Sequence, residues 1–131
     1  MHPDVLVDSW LTVPDVAEAL GVDAGRVRRL LKEGRLAGVR RGEPPVLSIP
    51  AQFLVPVDSA NPSSDERDAT GSMTVLASLQ GTLTVLGDAG FSAEEAIAWL
   101  YTPDDSLPGR PIDLLRAGHK TAVRRLAQAE L

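Results

Sequence analysis

Thr12-Val13-Pro14-Asp15-Val16-Ala17-Glu18-Ala19-Leu20-Gly21-Val22-Asp23-Ala24-Gly25-Arg26-Val27-Arg28-Arg29-Leu30-Leu31-Lys32-Glu33-Gly34 reads as two short helices about a three-residue turn. Thr12 is a capping residue, Pro14 suits the first turn, and Asp15, three residues after Thr12, completes a capping-box pattern. Val16, Ala19 and Leu20 then line one apolar face. Gly21-Val22 interrupts the pattern, and Asp23 caps a second helix that runs to about Lys32. Val27, Leu30 and Leu31 make the inward face of that helix, while Arg26, Arg28, Arg29 and Lys32 occupy the rest of its circumference. Gly34 is a natural stop. Two short helices around a glycine-containing turn have helix-turn-helix spacing.

The residues that follow extend the pattern. Leu36-Ala37-Gly38-Val39-Arg40 and Val46-Leu47-Ser48-Ile49 each carry alternating or β-branched residues, and Arg41-Gly42-Glu43-Pro44-Pro45 between them is rich in turn formers. A hairpin over 36–49 directly after the second helix is a wing, with Arg40 and Arg41 at its tip. Pro50 to Leu54 is expected to turn back onto the core.

Charge points the same way. Between Ala24 and Arg41 lie seven basic residues (Arg26, Arg28, Arg29, Lys32, Arg35, Arg40 and Arg41) against one acid, Glu33, a local balance of +6. The whole chain of 131 residues carries −5, so everything outside that segment sums to −11. An acidic protein that gathers about half of its 13 Lys and Arg residues in one short segment presents a face for a polyanion. Lys and Arg neutralise phosphates and release condensed counterions, the main sequence-independent source of nucleic-acid affinity. In a helix-turn-helix the N-terminal part of the second helix reaches base edges. Ala24, Gly25, Arg26, Arg28 and Arg29 are the candidates there: arginine pairs with the two acceptors of guanine, and the small residues permit close approach. Lys32, Arg35, Arg40 and Arg41 are placed for phosphates.

Composition bounds the alternatives. The chain suits one domain or two very small ones, with hydrophobic content of 44% and aromatics of only 4%, so Leu, Val and Ala must build the core. No run approaches the length of a membrane span. Met1-His2-Pro3-Asp4 has neither the basic start nor the apolar run of a signal peptide. The absence of cysteine removes disulfides and thiolate metal sites and fits a cytoplasmic protein. His2 and His119 are far apart and lack partners at ligand spacing, so no metal is expected. No cofactor motif is present: Gly109-Arg110-Pro111 lacks the glycines and lysine of a phosphate loop. Asp104-Asp105 has no companion motif, and no Ser-His-Asp arrangement has context, so no catalytic residue is assigned.

Val55 to Ser72, rich in Ser, Asp and Pro, has no apolar periodicity after Ala60 and reads as a flexible loop or linker. The expected organisation is therefore a winged helix-turn-helix domain over 8–54, a flexible linker or loop over 55–72, and a helical unit over 73–131. That unit opens with a helix from about Met73 to Leu86, whose Leu76, Leu79, Leu83 and Leu86 form a stripe for a core or a homodimer face. Ser92 and Glu95 make a second capping box, starting a helix to about Tyr101. Pro111 opens a short helix that Gly118 stops, and His119 to Glu130 is a last helix with Val123 and Leu126 inward. Trp10 and Trp99 read as core or domain-contact residues. The fold class is mainly α with a small β-hairpin.

Leu11 to Val22 together with Arg26 to Leu36 resembles the winged helix-turn-helix of a small actinobacterial DNA-binding family; excisionases and MerR-type regulators share the general pattern. The second unit resembles the same family through Leu83-Thr84-Val85-Leu86, Gly90-Phe91, Ala98-Trp99-Leu100-Tyr101-Thr102-Pro103-Asp104 and Arg110-Pro111-Ile112-Asp113-Leu114-Leu115. The resemblance implies a double-stranded DNA partner, a regulatory role and, since members are linked to a membrane Ser/Thr protein kinase, modification by such a kinase. Ser9 and Thr12 lie where added phosphate would repel DNA. Leu107 to Gly118 is also similar to the toxin-binding module of Xre-type antitoxins, which implies the alternative of an interaction protein.

Overall fold

Both capping signals at the start of the chain fold as written. In the computed structural model, which describes residues 7–42, 44–56 and 73–131, the Asp15 N–H donates to Thr12 Oγ1 (3.3 Å) and the Thr12 N–H donates to Asp15 Oδ2 (3.1 Å). This box begins α1 (Val13–Leu20), which ends at Gly21 in the left-handed region (φ 73°). A Cβ is strained there, so the turn favours glycine. Asp23 accepts from the Arg26 N–H (2.8 Å) and starts α2 (Ala24–Lys32). Gly34 (φ 77°) follows its end: the Arg35 N–H donates to the Leu30 carbonyl (3.0 Å) and the Gly34 N–H to the Leu31 carbonyl (3.2 Å). Those bonds satisfy carbonyls that the helix end leaves open.

Three antiparallel strands complete the winged unit: β1 (Trp10–Thr12), β2 (Val39–Arg41) and β3 (Val46–Pro50), in the order β1-β3-β2. Trp10 pairs with Pro50 and Thr12 with Ser48; on the other side of β3, Val39 pairs with Ser48 and Arg41 with Val46. The wing is shorter than its sequence suggests. Leu36 and Ala37 are buried core residues ahead of β2 rather than strand residues. A 3-10 turn (Ala51–Phe53) then leads to β4 (Leu54–Pro56).

The second half departs from expectation at its start. Val55 and Pro56, read as the beginning of a linker, belong to β4, and Met73–Val75, read as helix, is β5, antiparallel to it with Leu54 opposite Val75. The remainder of the linker assignment, 57–72, lies outside the described residues. Helix α3 begins only at Leu79 and runs to Asp88. Leu76 stays non-helical, and its N–H donates to the Phe53 carbonyl (2.9 Å). The β-branched pair Thr74-Val75 finds a strand partner in β4, and that pairing overrides the leucine periodicity.

Three more helices follow. Ser92 and Glu95 form the expected box, with the Glu95 N–H on Ser92 Oγ (3.1 Å) and the Ser92 N–H on Glu95 Oε1 (2.9 Å). The hydrogen bonds from Ser92, its backbone N–H first, hold the Glu95 carboxyl below the usual carboxylate range. That box starts α4 (Ala93–Tyr101); α5 (Pro111–Arg116) and α6 (Lys120–Gln128) complete the chain. In α6 the inward residues are Val123 and Ala127, with Leu126 half-buried.

One contiguous apolar cluster crosses both halves. Val16, Val27, Leu30, Ile49 and Phe53 share it with Leu79, Ile97, Leu100, Tyr101, Ile112, Leu115 and Val123. The leucine stripe is therefore largely spent inside the chain, since Leu76, Leu79 and Leu86 are buried and Leu83 half-buried. Polar contacts reinforce the junction. Arg116 Nη1 donates to the Gln52 and Leu54 carbonyls (both 2.7 Å), and Arg110 joins Asp113 (2.8 Å) to Asp8 (3.2 Å). Tyr101 sits between Phe53 (ring centroids 6.4 Å apart) and the Arg110 guanidinium (5.2 Å from its ring). Burial pushes the Tyr101 hydroxyl above its ordinary range, with the Arg110 charge opposing, so the side chain stays neutral.

Candidate nucleic-acid interface

Helix α2 divides its residues cleanly. Val27 and Leu30 are buried against the core, which fixes the helix's rotation about its axis. Gly25, Arg28, Arg29 and Lys32 are all exposed. Their spacing of three, four and seven from Gly25 puts them in a single stripe along the opposite face. Small Gly25 stands at the N-terminal end of that stripe, where the backbone can come closest to a ligand. Arg29 and Lys32 also lie in the last helical turn, a favourable place for cations in the helix dipole.

The other expected contacts lie at the ends of α2 and on β2. Ala24 is half-buried and packs against the core, so it supports the helix start more than it lines the face. Arg26 and Arg35 are half-buried at either end of α2. On β2, Arg40 is exposed opposite Leu47, whereas Arg41 lies opposite Val46 on the other side of the strand. The Arg41 guanidinium rests over the Trp10 ring, 4.9 Å from its centroid. Such a cation–π contact holds the side chain in place without neutralising it.

Trp10 is thus a supporting residue that the sequence did not reveal as one. Its partnership depends on β1 pairing with the distant β3, and no local spacing carries that information. Val46, 46% exposed at the wing tip beside Arg41, is the other residue missed there. Glu43 lies outside the described residues.

The wing depends on one close approach. A Cβ on Gly38 would stand 2.9 Å from the Ser48 carbonyl oxygen, with Ile49 and Leu47 side-chain atoms at 3.2 and 3.3 Å. Gly38→Ala is expected to force β2 away from β3 and cost about 1–3 kcal/mol, the usual range for overpacking. A fall in the urea midpoint together with weaker duplex binding would record it; an unchanged midpoint would mean the hairpin yields freely.

The arrangement is a helix-turn-helix with a three-stranded sheet whose hairpin follows the second helix in the chain, and the comparisons with known proteins converge on it. Residues 1–54 match the family model described as DNA-binding protein Rv2175c, wHTH domain, and residues 76–130 match the Rv2175c C-terminal domain of unknown function. The chain belongs to the Rv2175c family. It is 37% identical over 129 residues to the DNA-binding protein Rv2175c of Mycobacterium tuberculosis (strain ATCC 25618 / H37Rv), covering 89% of this chain and 77% of that one. The NMR structure of Rv2175c superposes with a TM-score of 0.71 at 34% identity, covering 92% of this chain and 80% of that chain. Neither Rv2175c family description names an enzymatic activity. Among the described residues, no cluster of His, Cys, Asp or Glu could hold a metal, and no helix is long and apolar enough to cross a membrane.

Proposed function

We propose that this protein is a cytoplasmic duplex-DNA-binding regulator, acting on transcription or on nucleoid organisation. Residues 8–54 contact DNA, and 73–131 pack against them and serve a partner or a second copy. The observation that carries the reading is the exposed stripe Gly25, Arg28, Arg29 and Lys32 on the second helix of the motif, together with Arg40 and Arg41 on the wing strand that follows it in the chain. Arg28 and Arg29 face the major groove, where arginine reads guanine. Lys32, Arg35, Arg40 and Arg41 bind phosphates. The relative's name, a DNA-binding protein, supports the same assignment.

Specific recognition by one such unit covers few base pairs, so a dimer on two half-sites is the natural route to an operator. With the leucine stripe spent in the core, that dimer would use another surface. Control by a Ser/Thr protein kinase has an exposed hydroxyl to act on at Ser9, close to α1; the Thr12 hydroxyl is occupied at the helix cap.

The test is fluorescence anisotropy with a labelled random duplex across a salt series. Roughly five phosphate contacts give a log–log slope of about −4 to −5. Absence of binding at low salt would overturn the proposal and turn attention to a protein partner of the C-terminal unit, as the antitoxin resemblance implies.

A further inference from the structure

Residues 73–131 carry five Lys and Arg residues, and they divide into two groups. Arg110 is engaged by Asp8 and Asp113, and Arg116 by two backbone carbonyls. Lys120, Arg124 and Arg125 are different: all three are exposed on α6, and no ion pair among the described residues engages them. With Thr121 and Gln128 they line one shallow concavity of about 210 Å³.

Helix α3, packed against α6, carries no charge from Leu79 to Gly87. The acids nearest in sequence to these two helices, Asp88 and Glu130, stand at their far ends.

This patch costs the fold something. Lys120 and Arg124 are one turn apart and repel each other. Lys120 is also the first residue of α6, at the positive end of the helix dipole, with no acid in the first turn to offset it. Gly81, inside α3 where glycine weakens a helix, leaves room for Arg124, because a Cβ there would fall on the guanidinium. A neutral glycine seat holds the arginine, and no carboxylate among the described residues pairs with it. An anion bound across the concavity would relieve the repulsion and the helix-dipole cost together.

We propose that this α6 face is a second surface for the phosphates of duplex DNA. Its donors are two guanidiniums, an ammonium, a hydroxyl and an amide, the set that contacts nucleic-acid backbones. It lacks an aromatic or apolar anchor of the kind that centres a protein–protein interface. It gives the C-terminal domain a role in binding that nothing else assigns, and it rests on the reading of duplex DNA as the ligand.

The experiment uses the full chain and a labelled 30-base-pair random duplex across a salt series. Lys120→Gln with Arg125→Gln removes two exposed cations and spares Arg124 at its seat on Gly81. The slope is expected to fall in magnitude by about 2, close to 0.9 per phosphate, with affinity reduced alike on unrelated sequences. Lys32→Gln with Arg40→Gln, which removes two of the cations assigned to phosphates in the winged unit, is measured in parallel. If only the winged-unit variant loses slope, the α6 surface is overturned and the proposed function stands. If only the α6 variant loses it, the assignment of Lys32 and Arg40 to phosphates is overturned and the α6 surface stands. Unchanged slopes in both, or no duplex binding by the wild-type chain, overturn both.

Discussion

Replacing Arg28 and Arg29 together by alanine is expected to remove most duplex affinity and leave the fold intact. Each arginine that pairs with a guanine edge contributes about 1–3 kcal/mol of discrimination. Losing two therefore lowers affinity by roughly 30-fold at the least, at about 1.4 kcal/mol per factor of ten. The fold is spared because both side chains are exposed, while Val27 and Leu30 anchor the helix from its other face. Anisotropy gives the affinity and a thermal melt gives the control. Wild-type affinity in the double variant, with an unchanged melt, would sink the recognition-helix assignment. Arg28→Lys with Arg29→Lys separates the two kinds of contact. Lysine keeps the charge but not the planar fork, so the salt slope should persist while preference among sequences falls.

What the sequence revealed about this interface was local. Thr12 with Asp15, Asp23, and Ser92 with Glu95 announce helix starts because a cap is made within three residues of itself. The inward pair Val27 and Leu30 and the outward arginines follow from helical period alone, so the whole α2 stripe was legible. Strand pairing was not. Trp10–Thr12 has no independent strand signal, and only its alignment with β3 makes it a strand and places Trp10 under Arg41. The leucines from Leu76 to Leu86 suggested a helix from about Met73, because periodicity cannot register that Leu54 waits opposite Val75. The cations of α6 were visible as residues, but that no carboxylate among the described residues pairs with them is a property of the packed structure.

The packing that joined these distant segments also bears on whether the two halves can act apart, and Phe53→Ala tests it. Phe53 is fully buried where the halves meet, near Tyr101 of α4, with its carbonyl bound by the Leu76 N–H and Arg116 donating to the carbonyls on either side. Truncating a buried phenylalanine costs about 3–5 kcal/mol, against a total stability of about 5–15 kcal/mol for a domain. The chain supplies its own reporters, since Trp10 lies in β1 and Trp99 in α4. Urea unfolding followed by fluorescence in Trp10→Phe and Trp99→Phe backgrounds reads each half separately. A shared core makes the two transitions coincide and moves them together when Phe53 is truncated. If Phe53→Ala lowers the midpoint reported by Trp10 and leaves that of Trp99 in place, the halves fold independently. The C-terminal helices would then be a tethered module. Coincident transitions make them part of the platform that holds the recognition helix, so changes in the C-terminal core would weaken DNA binding by unfolding the chain.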